Sequence, residues 1–148
     1  MNNLNHRINQ STRIQKSILN AAEKKALVKM AGAMPKWVTS DMLTFVGTFG
    51  AVVIATGYAL SNLHIGFLWL ASLGFVINWF GDSLDGTLAR VRNTQRPVYG
   101  YYLDHTVDVI NEAFMFVGAG FSPIIDMKVA IASYIIYLAL TLNVSMNA

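Results

Sequence analysis

Four aspartates stand close together, Asp82, Asp85, Asp104 and Asp108, within the stretch "GDSLDGTLARVRNTQRPVYGYYLDHTVD" of a chain that is 54% hydrophobic. Their order is D-x-x-D-G-x-x-A-R, nine residues, then G-x-x-x-D-x-x-x-D. At helical pitch Asp82, Asp85 and Ala89 (i, i+3, i+7) lie on one face, and Gly100, Asp104 and Asp108 (i, i+4, i+8) lie on another. Two such helices, antiparallel and joined by a short connection, bring four carboxylates toward one point. Oxygen-only donors in that number suit one or two hard divalent cations, Mg²⁺ or Mn²⁺. Such ions neutralise phosphoryl oxygens, while a spare carboxylate serves as a base, so the chemistry indicated is phosphate chemistry.

The elements that must position these groups are membrane elements. Of 148 residues only 13% are charged, about half the share of a soluble domain, and mean hydropathy is +0.44. In a bilayer each aspartate costs roughly 2.5–3.5 kcal/mol at mid-depth, so four cost about 10–14 kcal/mol before their mutual repulsion is added. A cation is the natural relief. Gly86, without a side chain, lets a ligand approach the helix backbone, and Ala89 keeps the same face open. Small residues also mark close helix packing in membranes, which is the competing reading. The chain has no cysteine, which excludes disulfides, thiolate metal sites and cysteine nucleophiles. The first forty residues lack the apolar core of a signal peptide, so no cleavage is expected.

The expected fold is an all-α integral membrane domain over 1–148. Residues 1–11 read as a frayed polar tail. An amphipathic surface segment fills the rest of 1–34, with a helix from about Ser11 to Met34 and Leu19, Ala22, Ala26, Met30 and Ala33 as its apolar stripe. An ordinary solvated helix is the alternative there. Four transmembrane helices follow at 42–60, 65–92, 99–121 and 128–145. The first is uncharged over 19 residues, about 28 Å long and enough to cross a bilayer core. The second apolar run stops near Phe80, but no proline interrupts "GDSLDGTLAR", so that helix is expected to continue to about Arg92; Pro97 is assigned to the turn. Lys and Arg cluster before the first span and between the second and third, which makes both places cytosolic by the positive-inside rule.

The pattern Asp82-x2-Asp85-Gly86-x2-Ala89-Arg90-x9-Gly100-x3-Asp104-x3-Asp108 resembles the signature of the CDP-alcohol phosphatidyltransferases. That resemblance implies metal binding by Asp82, Asp85, Asp104 and Asp108, two ions, and Asp108 as the general base. It implies attack by an acceptor hydroxyl on the β-phosphorus of a CDP-linked lipid or alcohol, CDP-diacylglycerol foremost, with release of CMP. Gly86, Ala89 and Gly100 would line the nucleotide pocket. Arg90 would meet the nucleotide phosphates or orient a neighbouring carboxylate. Thr44 matches the threonine of a Pro-Asn-x-x-Thr element whose first two places are Ser40 and Asp41 here. The family usually has six spans, so this chain is either a fragment or a short form whose missing wall a partner supplies. A homodimer in the bacterial cytoplasmic membrane, with a cytosolic active site and no nucleic acid partner, is the expected setting.

Three more residues enter the expectation. His105 gives "LDHTVD", similar to choline and ethanolamine phosphotransferases that use diacylglycerol as acceptor; a local hydrogen bond is the plainer reading. Asn78 and Glu112 extend the two polar faces one turn deeper and are expected to pair across the interface, as a structural bond or as the edge of an acceptor pocket with His105. The rival functions are a membrane prenyltransferase, which needs a second Asp-rich motif, and a non-enzymatic divalent-cation-binding subunit, which leaves Gly86, Ala89 and Arg90 without a role.

Overall fold

The computed structural model describes residues 18–146, and these are helical without a strand among them. The expected tail at 1–11, including His6, and the helix start at Ser11 lie outside the described residues. The helices are α1 (Ile18–Ala33), α2 (Ser40–Leu60), α3 (Leu68–Val91), α4 (Pro97–Gly120) and α5 (Met127–Met146), with a single 3₁₀ turn, Ile65–Phe67, before α3. Among the described residues two helical stretches are long and apolar enough to cross a membrane, Ser40–Leu60 and Ile65–Val91. The apolar run of α5, Met127–Asn143, is shorter, and α4 carries the polar groups of the motif. Large apolar side chains point outward from α2 and α3, among them Phe45, Phe49, Trp69 and Val76. An exterior of this kind suits lipid rather than water.

The interior of the α2–α3 pair is small instead of greasy. The buried side of α2 is Leu43, Gly47, Gly50, Ala51, Ile54 and Gly57. A Cβ added at Gly57 would sit on the backbone of Ala71, one at Gly50 on the backbone of Asn78, and one at Gly81 on the backbone of Gly47. The two helices therefore touch backbone to backbone along their length, the arrangement that small residues permit in membranes. Gly118 does the same for α4, against Ala55 of α2. Asn78 adds a polar tie, its Nδ2 donating to the Gly47 carbonyl at 2.9 Å.

Three expectations change here. α3 does run on to Val91, but α4 packs against α2 and α5 and makes no comparable contact with α3. α2, not α4, is the partner of α3, because the glycines that allow close approach are on those two helices. The apolar stripe of α1 is rotated as well: Leu27 and Ala31 are buried with Leu43, Leu84 and Leu88, while Ala22, Ala26 and Ala33 stay exposed. Leu84 and Leu88 of α3 select that face. Thirdly, the turn after α3 is made by Asn93, in the left-handed region at φ 55°. It completes a paired cap in which Asn93 N–H donates to the Arg90 carbonyl at 3.2 Å and Thr94 N–H to that of Ala89 at 3.0 Å, the usual way an αL residue closes a helix. Pro97 is the first residue of α4, where its missing N–H is no loss.

Gly50→Ala should lower stability by about 1–3 kcal/mol through overpacking, whereas Gly100→Ala, whose Cβ meets nothing within 4 Å, should leave it unchanged or raised. Thermal unfolding in detergent micelles measures both.

Candidate active site

α3 and α4 carry the motif and diverge, so the carboxylates face a gap between them. Antiparallel order sorts them by depth. Asp85 and Asp104 line an outer cavity of about 80 Å³ together with Thr44, Gly86, Ala89 and Gly100. Asp82 and Asp108 line an inner cavity of about 220 Å³, with Asn78, Asn111, Glu112 and Tyr137. The four acids feel one another's charge across the gap: Asp104 acts on Asp82, Asp85 and Asp108, and Asp82 acts on Asp108. They do not meet at one point. Among the described residues no three Asp, Glu or His side chains come close enough to hold a single ion. The reason is the helix pairing above, since α4 leans on α2 and leaves two levels of paired acids instead of one cluster.

Asp85 is the one acid that is buried. Thr44 Oγ1 donates to its Oδ2 at 2.7 Å, and the Gly86 N–H donates to its Oδ1. Thr44 is thus brought from α2 to the aspartate motif on α3. Among the described residues none of the four aspartates forms an ion pair; the one salt bridge joins Arg96 to Asp41 at 2.5 Å. Arg90 Nη2 donates to Thr87 Oγ1 at 3.1 Å and so orients no carboxylate. Arg92 is occupied with carbonyls of the segment before α2, Met34 at 3.0 Å, Pro35 at 2.8 Å and Val38. The four carboxylates offer only oxygen, the donor type that hard divalent cations such as Mg²⁺ or Mn²⁺ take, and Arg96 stands on the lining of the outer cavity.

Two further expectations are corrected. Asn78 and Glu112 line the same inner cavity but are not paired, because the Asn78 amide is spent on Gly47 of α2. His105 stands outside both cavities, with Nδ1 2.8 Å from the Tyr101 carbonyl and its ring 4.1 Å from that of Tyr101. The sequence reading missed Asp41 with Arg96 at the rim of the outer cavity, and Asn111 and Tyr137 in the inner one. A signal existed for Asn111, three residues after Asp108 on the same face. None existed for Tyr137, whose placement depends on α5 docking onto α4.

The small residues now separate by use. Gly50, Gly57, Gly74, Gly81 and Gly118 are needed for helix contact, whereas a Cβ at Gly86 would meet only the Arg90 guanidinium, at 3.5 Å or beyond. Gly86 and Gly100 both border the outer cavity. Close packing therefore does not account for the motif's own glycines.

Residues 37–147 match the family model described as CDP-alcohol phosphatidyltransferase, and the chain belongs to that family. It is 39% identical over 83 residues to the phosphatidylinositol phosphate synthase of Cutibacterium acnes (strain DSM 16379 / KPA171202), a stretch that is 55% of this chain and 37% of that relative. No solved structure matches the chain.

Thr44→Val leaves Oδ2 of the buried Asp85 carboxylate without its donor and should destabilise the protein by about 1–3 kcal/mol. A chemical denaturation series in micelles checks it, and Thr44→Ser should restore most of the loss.

Proposed function

We propose that the chain carries the catalytic machinery of a membrane transferase that moves a phosphatidyl or other phosphoalcohol group from a CDP-alcohol, CDP-diacylglycerol foremost, to an acceptor hydroxyl in phospholipid synthesis. One observation carries this reading: Gly86 and Gly100, free of any packing duty, border a cavity that also holds Asp85, Asp104 and Thr44. A site of that composition offers open backbone to a nucleotide beside carboxylates able to hold the counter-ions of its diphosphate. The outer cavity, about 80 Å³, is smaller than the several hundred Å³ common for ligand pockets. The unpacked gap between α3 and α4 is where it can widen, and parting the Arg96–Asp41 pair at its rim would free Arg96 for a phosphate.

In this reading Asp82, Asp85, Asp104 and Asp108 would hold Mg²⁺ or Mn²⁺, two levels of acids suiting two ions. Bound there, the metal supplies charge neutralisation for the diphosphate. Thr44 fixes the Asp85 carboxylate, and Gly86, Ala89 and Gly100 leave room for the cytidine. Arg90, held beside Gly86 by Thr87, stands near the phosphate end. Asp108 accepts the proton of the acceptor hydroxyl. The acceptor oxygen bonds the β-phosphorus while the bond from that phosphorus to the bridging oxygen breaks, and the electron pair leaves with CMP. A neighbouring cavity that shares Asp41 and Arg96 with the outer one carries Lys36 and Arg92 as well, and basic residues there support, by the positive-inside rule, a cytosolic site on the bacterial membrane. The outward placement of His105 gives no support to a choline or ethanolamine acceptor chemistry. The name of the Cutibacterium acnes relative makes inositol phosphate the first acceptor to try.

The test is CMP release from CDP-diacylglycerol with Mn²⁺ and a panel of serine, glycerol 3-phosphate, inositol and inositol phosphate. CDP-choline with diacylglycerol is the control donor pair. Metal-dependent CMP, abolished by EDTA, is expected from at least one pair; none from any pair overturns the reading. Asp108→Asn should reduce turnover by about 10²–10⁴ with donor binding retained. Gly86→Val should weaken CDP-diacylglycerol binding at least about tenfold without loss of thermal stability.

A further inference from the structure

The aspartate segment of α3 is supported from behind. Leu84 and Leu88 each precede a motif residue, Asp85 and Ala89, yet at helical pitch they lie toward the back of the helix, away from Asp82, Gly86 and Ala89. Both are buried, and Leu27 and Ala31 of α1 cover them, with Met30, Met34 and Val38 around the contact. Arg92, just past the end of the segment, binds the carbonyls of Met34, Pro35 and Val38, which fastens the linker between α1 and α2 to α3 as well. The outward side of this arm is basic. Residues 18–38 contain four lysines, Lys24, Lys25, Lys29 and Lys36, against one acid, Glu23. All four lysines are exposed, and none forms an ion pair among the described residues. Val28 and Trp37, 52% and 70% exposed, stand among them. Leu84 and Leu88 lie four and eight residues beyond Phe80, where the apolar run of α3 ends, or about 6 and 12 Å along the axis. That is the level of the headgroup layer.

We propose that α1 and the linker to α2 form a binding surface for anionic phospholipid headgroups, and that headgroup binding steadies the aspartate segment of α3 through the contact of Leu27 and Ala31 with Leu84 and Leu88. Charge complementarity selects this partner: unpaired lysines interleaved with exposed apolar side chains match a layer that presents phosphates above and acyl chains below. Zwitterionic headgroups carry no net charge and leave the lysines without counter-ions. The link to the motif follows from what supports it. Because α4 leaves the other side of the segment unpacked, α1 and the first turn of α2 are what hold α3 beyond Gly81. Any force that presses α1 into place therefore reaches the residues between Leu84 and Arg92. The attraction is electrostatic, so salt weakens it.

Hydrogen–deuterium exchange of the full chain in two kinds of nanodisc tests both halves. One kind holds phosphatidylcholine alone, the other an equal mixture of phosphatidylcholine and phosphatidylglycerol. Amides of α1 should exchange at least about tenfold more slowly in the anionic discs, since each lysine near such a surface strengthens binding about fivefold. Amides of residues 84–91 should slow with them, because local opening there needs α1 to lift. A variant carrying Lys24→Gln, Lys25→Gln, Lys29→Gln and Lys36→Gln, all at exposed positions, should exchange alike in both discs. Leu27→Ala keeps every lysine, so α1 should still respond to the anionic lipid while residues 84–91 no longer do. Exchange of α1 within twofold between the two discs, or a lipid response kept by the four-lysine variant, overturns the binding surface. Slowing confined to α1 in the unsubstituted chain, or a response of residues 84–91 kept by Leu27→Ala, overturns the link to the motif. The readout involves no turnover, so the transferase reading stands or falls by CMP release alone.

Discussion

The contact that the remainder of the structure depends on is the backbone-to-backbone approach of α2 and α3. Gly50, Gly57, Gly74 and Gly81 carry no side chains to hold the helices apart, so the pair closes to a distance that any larger residue would prevent. Water is not what drives them together in lipid; dispersion contacts along a close seam, with the Asn78–Gly47 hydrogen bond in the middle of it, do that work. Once α2 is committed to α3, α4 can lean only on the other flank of α2, through Gly118 on Ala55. The motif helices are left facing each other across an opening.

That opening is where the charges are tolerable. Packed against one another, α3 and α4 would bury four carboxylates that form no ion pair among the described residues. Separated, three of the acids reach the gap, and the fourth, Asp85, is held by Thr44 from α2 and by the Gly86 amide. Repulsion thus agrees with the helix pairing instead of fighting it. The layered order of the polar groups follows from antiparallel helices with fixed rise per residue. Asp85 and Asp104 form one level, Asp82 and Asp108 the next, and Asn111 and Glu112 extend the second level inward.

The polar end of the bundle is tied by arginines, not by packing alone. Arg92 binds several carbonyls between α1 and α2, which anchors the end of α3 to the start of α2. Arg96 pairs with Asp41 and lies over the Tyr99 ring at 4.2 Å, linking the start of α4 to α2. The mouth of the outer cavity is thereby framed by residues from three separate segments.

Much was legible beforehand. Hydropathy and the lack of a breaking proline located the helices, and the continuation of α3 through the motif followed from its uninterrupted periodicity. The aspartate spacing alone assigned Asp82 and Asp85 to one face and Asp104 and Asp108 to another, because helical pitch is a local property. Which helices are neighbours is not local. It depended on where glycines from α2 and α3 fall opposite each other. That pairing made Asn78 a ligand of Gly47 rather than of Glu112, turned Thr44 onto Asp85, chose Leu27 and Ala31 as the buried side of α1, and let α5 bring Tyr137 beside Asn111. Residue spacing determined the chemistry this protein can hold. Only the tertiary structure decided that its acids stand in two levels across a gap, since distances between helices are set by side chains that no single helix contains.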